Sequence, residues 1–314
     1  MQNKQNHSLG IWNDQSEEKL LNLRLQSFWN EDYFQKIVVK RIKDNCTPLR
    51  IIDVGCGHGS LTIKLAKYFP NSKIFAIEPE ESCFEKLMTN LSNKKIKNIV
   101  PMCCTAEKLP FVKNSVDMIC TQTVLSHVPD AEVVIKEFNR CLKPDGIYLG
   151  IEYDRVISEW NSVDPEFTSL ENKLKIVRLE YLLSKGKLIC GGGDDQIGKK
   201  LPALLYRNKF SILDVRLNDR VNYAFPPYET APQRETLENE KIWIGKPISL
   251  PRKTKWKEWL LAAGSQNDAE EYLSYIDSSI RRLKFWNQLE SPAEFAVVGT
   301  WMIYWILAKK SLNG

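Results

Sequence analysis

Apolar residues along the chain follow two alternating rhythms. Short runs of β-formers, LRIIDV (49–54), KIFAIE (73–78), NIVPMCC (98–104), VDMICTQ (116–122) and GIYLGIEY (146–153), are separated by segments near 60–69, 80–92 and 131–142 whose apolar positions recur at helical spacing. Such alternation predicts an α/β fold, with a parallel sheet covered by helices. An amphipathic stretch, roughly Ser16 to Lys43, precedes this core, with Leu20, Phe28, Phe34 and Ile42 among its apolar positions. The later half predicts a helix over about 166–185, a loop containing GGGDD, a short helix KKLPALLYR, a strand FSILDVRL, a mixed region, and a final strand FAVVGTWMIYWILA (295–308). These patterns divide the chain into an N-terminal helical region (1–45), a core (46–220), an insertion (221–291) and a last core strand (292–314).

Composition changes this picture little. The 314 residues, 43% hydrophobic, suffice for a substantial core, and 44 basic against 39 acidic residues leave a net charge of +5, too thinly spread to imply a polyanionic partner. The run PRKTKWKEWL interleaves lysines with Trp256 and Trp259, but helical spacing turns the tryptophans inward and the lysines to water, so no nucleic-acid partner is expected. The N-terminus lacks a signal-peptide core, and the longest apolar run is broken by Gly299 and Thr300, so a soluble, cytoplasmic protein without a membrane span is expected. Eight cysteines without CxxC spacing and three histidines give no expectation of a metal site. The aromatic load of the insertion, including Tyr223, Phe225 and Tyr228, suits a lid over a small organic molecule.

The chemistry is concentrated in DVGCGHG, Asp53 to Gly59. A strand ending at Val54, glycines at 55, 57 and 59, and a helix carrying Leu61, Leu65 and Phe69 make a tight strand-to-helix turn that a ligand can approach closely. A dinucleotide fingerprint requires Gly at 60, where Ser60 stands, and no GK[ST] follows for a phosphate loop. Glu78, at the end of the next strand, sits where a carboxylate accepts ribose hydroxyls in this architecture. A ribose-bearing ligand without a diphosphate fits best. Cys56 and His58, between the glycines, read as solvent-facing loop positions without a reactive role.

DVGCGHG followed by AIEPEE (76–81) resembles the first motifs of the class I S-adenosylmethionine-dependent methyltransferases. AEKLPF (106–111), SVDMICTQTVLSHVPD (115–130) and NRCLKPDGIYLGIEY (139–153) extend the resemblance to the small-molecule branch that includes the ubiquinone/menaquinone enzymes. It is strong over about 45–155 and looser over about 195–310. The resemblance implies a Rossmann-like seven-stranded sheet, mostly parallel, with the last strand antiparallel, and S-adenosylmethionine as cofactor. It places Asp53 and the backbone of Gly55, Cys56, Gly57 and Gly59 on the methionine portion and Glu78 on the ribose, with Pro79 also among the cofactor-binding residues. It places Ala106 or Glu107 near the adenine, and Gln122 in the donor set. Thr105, where the family frequently has an acidic residue, is also among the cofactor-binding residues.

His127 lies in the loop expected over the methyl donor, either as a base or as a positioning residue before a helix capped by Asp130. Tyr153 is a second catalytic candidate. Glu152 and Asp154 at the end of the fifth strand, with Tyr223 and Tyr228 of the insertion, are candidates for holding a small-molecule acceptor. Two other readings stand beside methyl transfer to a small molecule: an RNA or protein methyltransferase, and a cofactor-binding protein on the same fold that transfers nothing.

Overall fold

The computed structural model describes residues 28–43, 48–94, 96–156, 160–162, 169–219, 221–245, 249–288, 297–299 and 301–311. The expected helical pattern at 16–27 lies outside these residues, as do positions 289–296. The described part of that N-terminal region is helical over Glu31–Tyr33, Phe34–Val39 and Lys40–Lys43, the middle stretch with π-type hydrogen bonding.

Among the described residues ten strands follow: β1 (Arg50–Val54), β2 (Lys73–Ile77), β3 (Ile99–Met102), β4 (Val116–Gln122), β5 (Leu142–Asp154), β6 (Trp160–Ser162), β7 (Phe210–Leu217), β8 (Asn222–Ala224), β9 (Val297–Gly299) and β10 (Met302–Lys310). Seven form one sheet in the order β3-β2-β1-β4-β5-β10-β7. The β1–β2, β2–β3, β1–β4 and β4–β5 pairs are parallel, and β10 runs antiparallel to β7. The expected Rossmann-like sheet with an antiparallel last strand is therefore present. Burial explains why these runs are so apolar: Ile51, Ile52, Ile74, Ile77, Ile119 and Leu149 have no exposure, because helices cover both faces.

The sheet order locates the functional edge. From β1 the chain proceeds outward through β2 and β3, then returns to place β4 on the other side of β1, so the order reverses between β1 and β4. Ligands of open α/β sheets bind outside the carboxyl ends of the strands at such a reversal. The turn after β1 and the loop after β4 occupy that place.

By internal contacts the chain divides into two compact units, one comprising Phe28–Asp154, Gln196–Asn218 and Ile303–Gly314, the other including Arg155–Asp195 and Asp219–Met302. The first contains the seven-stranded sheet. The second contains helices Leu170–Ile189, Ala231–Gly245, Leu250–Ala263 and Gln266–Gln288 and the small sheet β6-β9-β8. Its apolar centre gathers Leu179, Leu183, Trp259, Leu260, Ala269 and Tyr272. Trp259 is thus core, while Lys253 and Lys255 pair with Asp277 and Glu258, as the helical spacing of PRKTKWKEWL implies.

One strand differs from expectation. The single run expected over 295–308 is two strands, β9 in the small sheet and β10 in the large one. The change of sheet falls directly after Gly299, a residue with no side chain to pack and little preference for continuing a strand.

Candidate active site

The turn after β1 is built from left-handed glycines: Gly55, Gly57 and Gly59 have φ of 64°, 52° and 86°. Each has a different reason to lack a side chain. A Cβ on Gly55 would lie 2.6 Å from Val124 Cγ2, and one on Gly59 would lie 2.6 Å from Leu87 Cδ1. At Gly57 a Cβ would meet nothing within 4 Å. The turn is sealed by packing at its ends and bare in its middle, which is what a close-approaching ligand requires. Gly59 then starts the helix Ser60–Tyr68, its carbonyl accepting from Ile63 N at 3.0 Å.

Two carboxylates support this turn. Glu78, 7% exposed at the end of β2, accepts from Gly57 N at 2.8 Å through Oε2 and from Glu80 N at 3.0 Å through Oε1. Asp53 is buried in β1 and accepts from Thr62 Oγ1 at 2.5 Å, tying strand to helix across the turn. Burial pushes the Asp53 carboxyl up to about 7, against the pull of the Thr62 hydrogen bond, and burial also raises Glu78. Two carboxyl groups beside the bare turn, when ionised, favour a cationic ligand over an anionic one.

Cys56 and His58 do not face solvent as their loop positions suggested. They are 7% and 5% exposed; Cys56 N donates to Ile77 O at 2.9 Å, and the His58 carbonyl accepts from Asn90 Nδ2 at 3.0 Å. Burial and the nearby Asp53 and Glu78 raise the Cys56 thiol well above its ordinary range, which suits packing rather than nucleophilic chemistry. The remaining donor candidates separate by exposure: Pro79 and Thr105 are exposed, Glu107 is half-buried, and Ala106 and Gln122 are buried. Glu78 N donates to Met102 O at 3.2 Å, so the ends of β2 and β3 are held together beside the turn.

The loop after β4 forms the other wall. Val124 fills the space against Gly55, Thr123 has φ of 57°, unusual for a β-branched residue, and His127 is exposed with its amide donating to Val124 O at 2.9 Å. Asp130 caps the following helix, Ala131–Cys141, as expected, accepting from Glu132 N and Val133 N at 2.8 and 3.3 Å. The His127 and Tyr153 rings have centroids 6.4 Å apart, so the two catalytic candidates are neighbours.

The strand-end acids lie deeper than a substrate-holding role suggests. Glu152 and Asp154 have no exposure; Asp154 pairs with Lys199 at 2.9 Å, and Glu152 faces the β4 loop. Tyr223 and Tyr228 belong to the second unit, where Tyr223 stacks on Phe225 with centroids 5.7 Å apart and is 38% exposed. Thr62 and Val124, which shape the turn, were not marked by any sequence pattern. The described residues contain no cluster of histidine, cysteine and acidic side chains arranged for a metal ion, and no described helix is long and apolar enough to cross a membrane.

Residues 51–146 match the family model described as a methyltransferase domain. An uncharacterized methyltransferase of Schizosaccharomyces pombe is 34% identical over 33% of this chain and 40% of its own length. The demethylmenaquinone methyltransferase of Lactobacillus johnsonii is 34% identical over 40% of this chain and 50% of its own. The ubiquinone/menaquinone biosynthesis C-methyltransferase of Rickettsia prowazekii is 29% identical over 44% and 54%. The chain thus spans about half the length of these curated relatives. The matched segment runs from β1 through β4 and includes the glycine turn and the β4 loop, the stretch in which DVGCGHG and AIEPEE stand.

Proposed function

We propose that the chain is an S-adenosylmethionine-dependent methyltransferase acting on an O, N or C atom of a small-molecule acceptor. The observation that carries this reading is the turn itself: bare backbone at Gly57, with the Glu78 carboxylate 2.8 Å from its amide, at the reversal point of the sheet. Among ribose-bearing ligands, one with a sulfonium and an ammonium group and no phosphate matches the acids Asp53 and Glu78. In this reading Asp53, Gly55, Cys56, Gly57 and Gly59 hold the amino-acid end of the donor. Glu78 and Pro79 hold the ribose, and Thr105, Ala106, Glu107 and Gln122 line the remainder.

When bound, the cofactor supplies an electrophilic methyl carbon. Methylation at an O, N or C atom would leave the acceptor a proton to lose, which would pass to a base or to water. A transition state that disperses positive charge needs alignment and exclusion of water more than strong acid–base help. In this reading His127 and Tyr153, whose ring centroids lie 6.4 Å apart, orient the acceptor or receive that proton. We assign acceptor choice to residues outside the matched domain, including Tyr223 and Tyr228 of the region 221–291, which we read as a lid.

The similarity to the menaquinone and ubiquinone/menaquinone methyltransferases supports a quinone-like or similar metabolite as the first acceptor to try. The cysteines among the described residues are free, including the exposed Cys103 and Cys190, which supports a reducing, cytoplasmic setting. Incubation with methyl-labelled S-adenosylmethionine and fractionated metabolite extracts, with a demethylated quinone as one defined acceptor, tests the reading. Label transferred to a small molecule, and reduced at least about a hundredfold in His127→Ala if that side chain is the base, is the expected result. Label transferred only to RNA or protein would replace the small-molecule assignment.

A further inference from the structure

The mechanism above leaves one buried acid unused. Glu152 lies at the end of β5 with no exposure, yet its Oε1 accepts three hydrogen bonds: from Thr121 Oγ1 at 3.0 Å, Val124 N at 3.1 Å and Leu125 N at 3.2 Å. Thr121 is itself linked to Tyr148 OH at 2.8 Å, so β4, β5 and the β4 loop converge on one oxygen. Oε2 has no hydrogen-bond partner among the described residues. The segment so gripped is the one in the strained Thr123 conformation; it presents Val124 to Gly55 at one end and His127 to the sheet edge at the other. A buried acceptor that takes two amides of an irregular loop fixes the path of that loop.

We propose that Glu152 is a positioning residue: through the amides of Val124 and Leu125 it sets the β4 loop so that Val124 closes the glycine turn and His127 stands beside Tyr153. Its consequence for catalysis rests on the methyltransferase reading, but the loop placement does not. A carboxamide keeps the accepting Oε1, whereas a shortened or apolar side chain removes it. Burial also raises the Glu152 carboxyl, to about 7, which makes the neutral carboxamide a fair mimic of the buried group.

The test compares Glu152→Gln, Glu152→Asp and Glu152→Ala in the full chain without ligand, by amide hydrogen exchange at Val124 and Leu125 and by the imidazole resonance of His127, assigned with His127→Asn. Wild type and Glu152→Gln are expected to share slow exchange at both amides and the same His127 resonance. Glu152→Asp and Glu152→Ala are expected to exchange at least about tenfold faster there and to shift or broaden His127, with strand amides in β1 still protected. Should Glu152→Ala not fold, Glu152→Asp carries the comparison. Unchanged exchange and an unchanged His127 resonance in Glu152→Asp would overturn the proposal, as would failure of Glu152→Gln to match wild type. Calorimetry with S-adenosylhomocysteine runs in parallel: absence of binding by wild type would sink the methyltransferase reading while leaving the loop result standing.

Discussion

The Glu78 carboxylate and the Gly57 amide are bonded at 2.8 Å, so the acid that ends β2 and the bare centre of the β1 turn form one unit. Removing the carboxylate should therefore cost both a ligand contact and the anchoring of the turn. Glu78→Ala is expected to weaken binding of S-adenosylmethionine by about 1.5–3 kcal/mol, the range for a hydrogen bond to a charged group. Titration calorimetry on the two proteins checks this; an affinity unchanged within twofold would remove Glu78 from the donor site.

Gly55 and Gly57 differ in what a methyl group would meet, and that difference is measurable. Both positions carry the cost of positive φ, about 1 kcal/mol for alanine, but only at Gly55 does the added carbon collide with Val124. Gly55→Ala should lower unfolding free energy by roughly 1–3 kcal/mol more than Gly57→Ala, and Val124→Ala in the same chain should recover part of that gap. Denaturant unfolding of the four proteins reads it directly.

Asp53 gives the fold a pH dependence of definite sign. Its folded carboxyl, near 7, is raised above the ordinary value of 3.8, so the native state holds a proton that the unfolded state has lost across that window. The unfolded chain binding fewer protons means stability falls as pH rises from the ordinary carboxylate range toward 7, then levels. Glu152, also raised to about 7, acts with the same sign. Asp53→Asn should therefore gain stability relative to wild type between about pH 5 and about pH 8, seen as a narrowing or reversal of the difference in thermal midpoints. A constant difference would show that Asp53 titrates normally.

In the second unit, Gly186 lets helix Leu170–Ile189 touch the backbone of helix Leu250–Ala263: a Cβ there would lie 1.6 Å from Trp259 O. No flexible side chain can yield at that point. Gly186→Ala is expected to destabilise this unit by about 3 kcal/mol, the upper range for overpacking, whereas Gly191→Ala, with φ of 71° and open space, should cost about 1 kcal/mol. Thermal unfolding followed by tryptophan fluorescence separates the two.

The parallel sheet and the glycine turn were legible because their signals are local. Three alternate glycines after Val54, an acid at the end of the next strand and Asp130 before a helix each act within a few residues of themselves. Contacts between distant segments left no such mark. The inward positions of Cys56 and His58 depend on Ile77 at the end of β2 and on Asn90, and the packing of Val124 on Gly55 and the grip of Glu152 on the β4 loop arise only when β1, β4 and β5 lie side by side. The split of the last apolar run into β9 and β10 was hidden for a related reason: Gly299 marks a weak point in the strand pattern, but the choice of a different sheet partner on each side of it is a long-range contact.

The central claim is that the bare turn at Gly57 receives S-adenosylmethionine, and its most direct test is calorimetric titration of that donor into wild type and Gly57→Arg, with circular dichroism confirming that both are folded. An arginine at 57 projects into space that holds no protein atom within 4 Å of its Cβ, so the fold should survive while the ligand is displaced. The account predicts saturable binding to wild type, loss of at least about a hundredfold in affinity in Gly57→Arg, and no comparable binding of NADH. Equal affinity in the two proteins, or a nicotinamide nucleotide binding more tightly than the sulfonium donor, would contradict it.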